Sequence, residues 1–206
     1  MSNNLFDNTK LAFELKSNNA LRKSLFLFNI IKYPLIVKLG SVLIRFFLKL
    51  KFPITPIVKN LLFDQFCVGL DEKESLKTVK KLSKFNLRSI LHYHVEGYGS
   101  EKSFDKCLAN TIKTIKSASK NRNIPFTVFK PTGLGSLKLF HKIAQGLVLN
   151  DREKKELQRV EKRFDSCFQS CKKNGVKILI DSEESWIQPG VDLLVEKYMI
   201  KYNKKD

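Results

Sequence analysis

Cysteine, glycine and proline are scarce in this 206-residue chain, and each scarcity excludes a class of protein. The four cysteines, at positions 67, 107, 167 and 171, form no C-x-x-C pair, which excludes a disulfide scaffold and indicates a reducing compartment. The nine glycines and six prolines are too few for a collagen-like or Gly/Pro-rich disordered chain. The sequence also lacks the G-x-G-x-x-G, P-loop and G-x-S-x-G motifs. What remains is a chain with 43% hydrophobic residues, long enough to bury a core.

Acidic residues and arginine are also scarce. Asp and Glu number 20 against 38 Lys and Arg, which gives a formal net charge of +18. Such an excess raises nucleic acid or an anionic membrane as a partner. However, 31 of the basic residues are lysines and seven are arginines, whereas bidentate phosphate recognition favours arginine, and no segment is a dense basic tail. We therefore interpret the excess as a lysine-rich solvated surface and predict no nucleic-acid partner.

A long uncharged apolar run is missing as well. Residues 25–57 are the most apolar stretch, but a spanning helix needs about 20 apolar residues with few charges. Pro34 and Pro53 divide the stretch, and five basic residues interrupt it: Lys32, Lys38, Arg45, Lys49 and Lys51. The sequence thus predicts no transmembrane helix. Two alternatives stay open, namely short helices with a basic face on a membrane surface and a helical subdomain packed on a larger core.

Helical patterns fill residues 1–65, whereas strands and helices alternate in residues 66–206. In the second region, short apolar runs predict strands at 89–95, 126–130 and 177–181, and amphipathic segments predict helices at 101–120, 137–144, 151–174 and 189–202. Gly175 is a fitting cap for the third of these helices. Strict alternation is typical of an α/β fold with a parallel sheet. We therefore expect the three strands to be adjacent and parallel.

Polar side chains cluster directly after each predicted strand. They are His92, His94 and Glu96 after the first, Lys130 and Thr132 after the second, and Asp181 and Glu183 after the third. In barrels and open sheets of parallel strands, this C-terminal edge carries the chemistry. Lys130 and Asp181 are expected to pair there and to offer a fixed cation to an anionic substrate group, with an ordinary ion pair at the rim as the alternative.

Two histidines two residues apart point to the same face of a strand and can chelate a metal ion. His92 and His94 have this spacing, but the only other histidine is His141, so further ligands would have to be carboxylates. We predict no metal site and interpret the pair as half-buried or rim histidines.

Three segments together resemble the proline dehydrogenase family of flavin-dependent (β/α)8-barrel enzymes. They are the S-I-L-H-Y-H-V-E-G run at 89–97, the F-K-P-T-G-L-G run at 129–135 and the I-L-I-D-S-E-E-S-W-I-Q run at 178–188. The last is similar to the family's D-A-E-E strand end, with Ser182 in place of alanine, and the middle one is similar to its lysine-bearing second strand. Residues 5–9 and 65–69 resemble a bacterial branch that carries a helical N-terminal region.

The resemblance implies oxidation of L-proline to pyrroline-5-carboxylate by hydride transfer to FAD. It also implies residue roles: Lys130 lies beside the substrate carboxylate, Asp181 pairs with that lysine and borders flavin and substrate, and the backbone of Ser182 approaches the flavin. Lys130 and Asp181 are therefore the expected catalytic residues, and Asp181 and Ser182 are the expected cofactor-binding residues. In such an enzyme the flavin supplies the hydride chemistry, and the protein supplies orientation and charge.

The chain departs from the family pattern in two places. His92 stands where the first strand of the family usually carries an aspartate, which changes the charge at the mouth of the sheet. A full barrel takes about 250 residues, whereas residues 66–206 carry three predicted strands. We therefore expect a helical region at 1–65, followed at 66–206 by the first three βα units of a truncated (β/α)8 barrel. We also expect this chain alone neither to hold FAD tightly nor to oxidise proline.

An open piece of a barrel exposes an unpaired strand edge. A truncated or split gene, a fragment completed by a second chain, and a shortened relative with a new role would each account for it. The partners expected for the enzyme are L-proline and a quinone or another membrane electron acceptor. The expected location is the cytoplasm, with or without peripheral contact with the inner membrane. The alternative function is a non-catalytic interaction or membrane-peripheral protein derived from the barrel.

Overall fold

A computed structural model describes residues 7–69, 71–93 and 99–204 of the chain. The chain divides into two units, residues 1–70 and residues 71–206. The described part of the first is built from helices, and the second combines helices with parallel strands, which is compatible with an α/β fold. The domain boundary predicted after residue 65 falls before this division and stays a prediction.

Local signals in the sequence begin the helices of the first unit. Its elements are α1 (Thr9–Ala12), α2 (Asn18–Ile31), α3 (Pro34–Lys49), α4 (Thr55–Val58), a π-helix (Lys59–Phe63) and α5 (Asp64–Phe66). The Asn8 side chain caps α1 by accepting a hydrogen bond of 3.0 Å from the Leu11 N–H. Ser17 caps α2 in the same way. Helix α3 begins at Pro34, where the missing N–H of proline leaves no helical hydrogen bond unmade.

The second unit alternates helices with two strands. Its elements are α6 (Glu72–Ser83), α7 (Glu101–Ala118), β1 (Phe126–Phe129), a 3-10 turn (Pro131–Gly133), α8 (Leu137–Ala144), α9 (Asp151–Asn174), β2 (Lys177–Ile180) and α10 (Gln188–Tyr202). Helix α9 begins at a capping box, in which Asn150 and Glu153 each accept a hydrogen bond from the other's backbone N–H. It ends at Gly175, whose φ of 63° lies in the left-handed region that favours glycine, and this confirms the predicted cap.

Strands β1 and β2 pair in parallel. The register runs from Phe126 opposite Lys177 to Phe129 opposite Ile180. The prediction that these two strands are adjacent and parallel is confirmed, although each ends one residue earlier than expected. Strand β1 ends early because Pro131, two residues after it, has no N–H to donate to a neighbouring strand.

The strand predicted at 89–95 is much shorter in the structure. Its described part contributes a single parallel bridge, from Leu91 to Thr127 of β1. Before the bridge, the Ser89 N–H donates to the Asn123 carbonyl at 2.9 Å, so the segment runs beside the loop that leads into β1. The remainder of the predicted strand, at 94–95, lies outside the described residues.

The two faces of the sheet differ in what covers them. Thr127 and Phe129 of β1 are buried, and the ring of Phe129 packs edge-on against that of Phe164 on α9 with centroids 5.1 Å apart. Because side chains alternate along a strand, Val128 and its register partner Leu179 lie on the opposite face, where Leu179 is 42% exposed. Helices α7 and α9 therefore cover one face of the sheet, and the other face carries exposed apolar surface.

A buried arginine joins α7, α9 and the chain after β1. The side chain of Arg163 on α9 is 5% exposed and donates to Asp105 Oδ1 at 2.9 Å and to the Leu134 carbonyl at 3.1 Å. Its guanidinium also pairs with Glu101 at the start of α7. Hydrogen bonds from Arg159 and then from Arg163 lower the pKa of Glu101, so this carboxylate stays charged against the two arginines.

Close contact between α8 and α10 requires a glycine at position 190. A Cβ atom there would lie 2.4 Å from the Phe140 carbonyl oxygen and 2.8 Å from the Ala144 nitrogen, and both belong to backbone that cannot rotate away. We expect Gly190→Ala to destabilise the protein by about 1–3 kcal/mol in urea denaturation followed by circular dichroism. Gly99→Ala is the matched control, because a Cβ at Gly99 meets nothing within 4 Å. Equal stability of the two variants would contradict the helix contact.

Candidate active site

Lys130 and Asp181 lie at the same edge of the sheet, because each directly follows a strand. They come after the register partners Phe129 and Ile180. The Asp181 N–H donates to the Phe129 carbonyl at 3.0 Å, which carries the pairing one residue beyond β2. Lys130 keeps an extended backbone before the 3-10 turn. This is the C-terminal edge of both strands, where parallel sheets carry their chemistry.

Glu183 is the carboxylate that the structure places against Lys130. Its Oε2 lies 3.7 Å from the Lys130 Nζ, and its side chain is 1% exposed. Its Oε1 accepts two hydrogen bonds of 2.8 Å from Thr132, one from the backbone N–H and one from the hydroxyl. A buried carboxylate needs hydrogen-bond donors and an opposite charge. Thr132 supplies the donors and Lys130 supplies the charge.

The expected pair of Lys130 with Asp181 differs from this arrangement. No ion pair joins the two within the part of the chain that the structure describes, and the side chain of Asp181 is exposed. The reason is the path of the chain after β2. Asp181 still continues the strand, whereas Glu183 lies beyond it, beside the turn that carries Thr132. The catalytic roles of Lys130 and Asp181 stay predictions.

Ser182 and Asp181 form an exposed pair at this edge. Among the described residues, the Ser182 N–H donates to no acceptor. A backbone donor of an exposed residue therefore lies next to an exposed acidic residue, which suits a ligand that carries hydrogen-bond acceptors. The cofactor-binding roles of both residues stay predictions.

His92 is exposed, whereas its neighbours Leu91 and Tyr93 pack against the apolar core. The alternation places His92 on the side away from that core. The other members of the first polar cluster, His94 and Glu96, lie outside the described residues. In residues 7–69, 71–93 and 99–204, no three His, Cys, Asp or Glu side chains converge in a way that could hold a metal ion.

The cysteines of α9 are packing groups and not nucleophiles. Cys167 and Cys171 lie one turn apart and both are buried. Burial raises the pKa of the Cys171 thiol to about 11 and that of Cys167 further still. Neither side chain is therefore a thiolate near neutral pH, and thiolate is the reactive form.

Thr132 and Glu183 are the site residues to which sequence reasoning gave no role. Their positions after strands mark them as rim residues, but three carboxylates follow β2 within four residues: Asp181, Glu183 and Glu184. The structure buries the side chain of Glu183 and exposes the other two. The available signal is Thr132 itself, a double donor placed two residues after Lys130, which favours a carboxylate partner near that lysine.

Comparison with known proteins places these strand ends in one family. The proline dehydrogenase family model matches residues 75–206. Carbapenem antibiotics biosynthesis protein CarD of Pectobacterium carotovorum subsp. carotovorum is 33% identical over 135 residues, which cover 64% of this chain and 36% of the relative. Proline dehydrogenase 1, mitochondrial, of Dictyostelium discoideum is 30% identical over 190 residues, which cover 74% of this chain and 33% of the relative. Proline dehydrogenase 2, mitochondrial, of Arabidopsis thaliana is 23% identical over 185 residues, which cover 71% of this chain and 39% of the relative.

The chain thus spans between 33% and 39% of the length of these relatives. The segment matched by the family model contains both strands and the 3-10 turn, together with Lys130, Asp181 and Ser182. The resemblance carried by the three sequence segments is therefore confirmed. The chain belongs to the proline dehydrogenase family.

Proposed function

We propose that this chain supplies the substrate-carboxylate end of a site that oxidises L-proline to pyrroline-5-carboxylate with FAD. The observation that carries the proposal is the position of Lys130, a cation held at the C-terminal edge of the parallel sheet beside the buried carboxylate of Glu183. Membership of the proline dehydrogenase family supports the same reaction. Proline carries an anionic carboxylate, which is the group that a fixed lysine binds.

Lys130 binds the carboxylate of proline in this proposal. Its side chain is 22% exposed, so it is partly withdrawn from water while part of it still reaches the solvent. Partial withdrawal from water strengthens the attraction between opposite charges. Glu183 is a positioning residue: at 3.7 Å it balances the charge of Lys130 and orients the side chain, at a separation longer than a direct hydrogen bond.

The residues after β2 fit the flavin chemically. Asp181, through its carboxylate, and Ser182, through its backbone N–H, are the exposed residues that would hold FAD. FAD held there would supply the hydride acceptor for oxidation of the proline C–N bond to C=N, with the proton released from the nitrogen. Lys130 fixes the other end of the substrate, so the orientation needed for hydride transfer comes from the protein.

The proposal also includes partners and a location. The electrons leave to a quinone or another membrane acceptor, and the protein works in the cytoplasm, peripheral to the inner membrane. Further protein, from the same polypeptide or from a second chain, completes the barrel around the site. The sheet supports this last point, because Leu179 is 42% exposed on the face that α7 and α9 leave uncovered.

A chimera tests the proposed reaction. Residues 75–206 of this chain would replace the matching segment of the Dictyostelium discoideum relative named proline dehydrogenase 1, and the product would be assayed with proline and an artificial electron acceptor. We expect a yellow protein that turns over proline. The relative with its own segment is the control for folding and flavin content. A folded, flavin-loaded chimera without proline turnover would contradict the proposal.

Residues 1–206 by themselves are expected neither to hold FAD tightly nor to oxidise proline. Asp181 and Ser182 would contact only one side of the flavin, whereas catalysis requires the donor carbon and the flavin to be held within about 3–3.5 Å of each other. The measurement is the visible spectrum of the purified chain after FAD is added and the excess removed, followed by the proline assay. Bound flavin with turnover would show that the strand ends of this chain suffice, for example through dimerisation.

A further inference from the structure

Helix α3 is apolar on nearly all sides and yet buries none of its residues. Nine of its large apolar side chains are at least 36% exposed: Leu35, Ile36, Val37, Leu39, Val42, Leu43, Phe46, Phe47 and Leu48. A helix that is hydrophobic around most of its circumference normally lies in a protein core or in lipid. An exposed apolar patch of this kind marks an interaction surface.

The few charged residues of α3 all lie on one stripe. Lys38, Arg45 and Lys49 are separated by seven and four residues, so on an α-helix they project within about 40° of one another. The Arg45 Nε donates to the Ser41 carbonyl at 3.2 Å, one turn earlier on the same helix. A cationic stripe on an otherwise apolar helix is typical of helices that lie in a membrane interface.

The surrounding sequence carries charge of one sign. Residues 15–63 contain nine Lys and Arg residues and no Asp or Glu. A second copy of this unit would bring the same positive charge to the contact and would be repelled. An anionic lipid surface is attracted instead, and each nearby Lys or Arg strengthens binding roughly five-fold. Charge complementarity therefore selects the lipid surface as the occupant.

Helix length and bend favour an orientation along the membrane surface. Helices α2 and α3 contain 14 and 16 residues, which correspond to about 21 and 24 Å, shorter than the roughly 30 Å of the hydrocarbon core. Within the described residues, no single helix is long and apolar enough to cross a membrane. Helices α2 and α3 reach that hydropathy only together, and they are bent by 105° relative to each other.

We propose that α2 and α3 form an interfacial anchor that lies on an anionic membrane, with the apolar sides of α3 in the acyl-chain boundary and Lys38, Arg45 and Lys49 at the lipid headgroups. Helix α2 also carries exposed apolar residues: Leu25, Phe26, Phe28 and Ile31. This proposal depends only on residues of the first unit, so it does not require that the second unit oxidises proline.

Vesicle binding by the full chain tests the anchor. The probes are vesicles of phosphatidylcholine alone and vesicles that also contain phosphatidylglycerol, separated from free protein by flotation. We expect binding to the anionic vesicles, weaker binding to the neutral ones, and release of the electrostatic part by salt. The triple variant Lys38→Glu/Arg45→Glu/Lys49→Glu should bind anionic vesicles more weakly by at least about a hundred-fold, because three attractive charges are lost and three repulsive charges are added.

A matched variant distinguishes the effect of the charged stripe on α3 from the effect of net charge alone. Lys102, Lys106 and Lys116 are exposed lysines of α7 in the second unit, and Lys102→Glu/Lys106→Glu/Lys116→Glu makes the same change in charge. We expect this variant to bind anionic vesicles nearly as well as the natural chain. Circular dichroism would show that both triple variants keep their helices. An equal loss of binding in both variants would overturn the proposal.

A fluorescent reporter measures depth independently of affinity. Trp186 is the only tryptophan, so Trp186→Phe combined with Phe46→Trp places a single reporter on α3. We expect its emission to shift to the blue on anionic vesicles and to be quenched most by lipids brominated near the headgroup end of the acyl chain. Strongest quenching at the chain terminus would indicate a spanning helix and overturn the in-plane orientation. A blue shift with concentration-dependent self-association and no vesicle binding would assign the surface to a second copy.

Discussion

Arg163→Met should lower the free energy of unfolding by about 3 kcal/mol, the loss expected when a buried cation is removed from charged hydrogen bonds. Methionine retains the apolar stem but donates nothing to Asp105 or to the Leu134 carbonyl, and it leaves Glu101 without its inner partner. The loss stays below that of a wholly buried ion pair, because the carboxylate side chains of Glu101 and Asp105 are 43% and 66% exposed and regain water.

Arg159→Met is the matched control for that loss. Arg159 lies on the same helix and donates to the same Glu101 at 2.8 Å, but its side chain is 44% exposed. An exposed pair contributes roughly 0–1 kcal/mol, so this variant should unfold close to the natural chain. Urea denaturation of both variants under the same conditions gives the comparison. If the two substitutions cost the same, burial of Arg163 is not what stabilises the junction of α7, α9 and the chain after β1.

Helices of the second unit were predictable because their ends depend on nearby residues. The predicted bounds of 137–144 and 151–174 coincide with those of α8 and α9. The bounds of α9 were predictable because residues close to its ends satisfy its unpaired backbone groups, namely Asn150, Glu153 and Gly175. The spacing of the apolar residues predicts which face of the helix is buried, and it indicates a helix over the same residues as the caps do.

Pairing between strands was predictable where a crossover helix constrains it, and less so elsewhere. Parallel pairing of β1 with β2 follows from the strand–helix–strand order. The segment at 89–95 has an equally apolar composition, yet its described part makes only the bridge at Leu91. Composition reports what a segment can bury, whereas the extent of pairing depends on contacts distant in sequence.

The site was predictable as a location and not as a set of contacts. Chain order places Lys130 and Asp181 after neighbouring strands, and the register of β1 and β2 confirms that neighbourhood. Which carboxylate meets Lys130 depends on how the chain turns after β2 and on the donors of Thr132, which attract Glu183. Glu183 lies three residues beyond β2, where side chains no longer alternate between two faces, so the sequence does not predict its direction.

Lys130→Ala should reduce kcat/KM for proline by roughly a hundred-fold in the chimera that carries residues 75–206, the effect of losing about 3 kcal/mol from a charged hydrogen bond. The main change should be a higher KM, because the carboxylate is bound before and during hydride transfer alike. Lys172→Ala is the matched control, since Lys172 is an exposed lysine near the end of α9. Visible absorbance and thermal unfolding would be recorded to show that both variants fold and hold flavin.

Activity on prolinamide tests whether the loss of kcat/KM arises from the substrate carboxylate. The neutral amide of this analogue cannot form the ion pair, so activity on prolinamide should be low in the unsubstituted chimera and nearly unchanged by Lys130→Ala, while activity on proline falls. Glu183→Gln should have a smaller effect on proline, roughly ten-fold, because glutamine still accepts from Thr132 at the position of Oε1 but no longer balances the charge of Lys130. A purely structural role for Lys130 would reduce turnover of both substrates equally and lower the flavin content together with it. Loss confined to proline, with flavin retained, is the result that places the substrate carboxylate at Lys130.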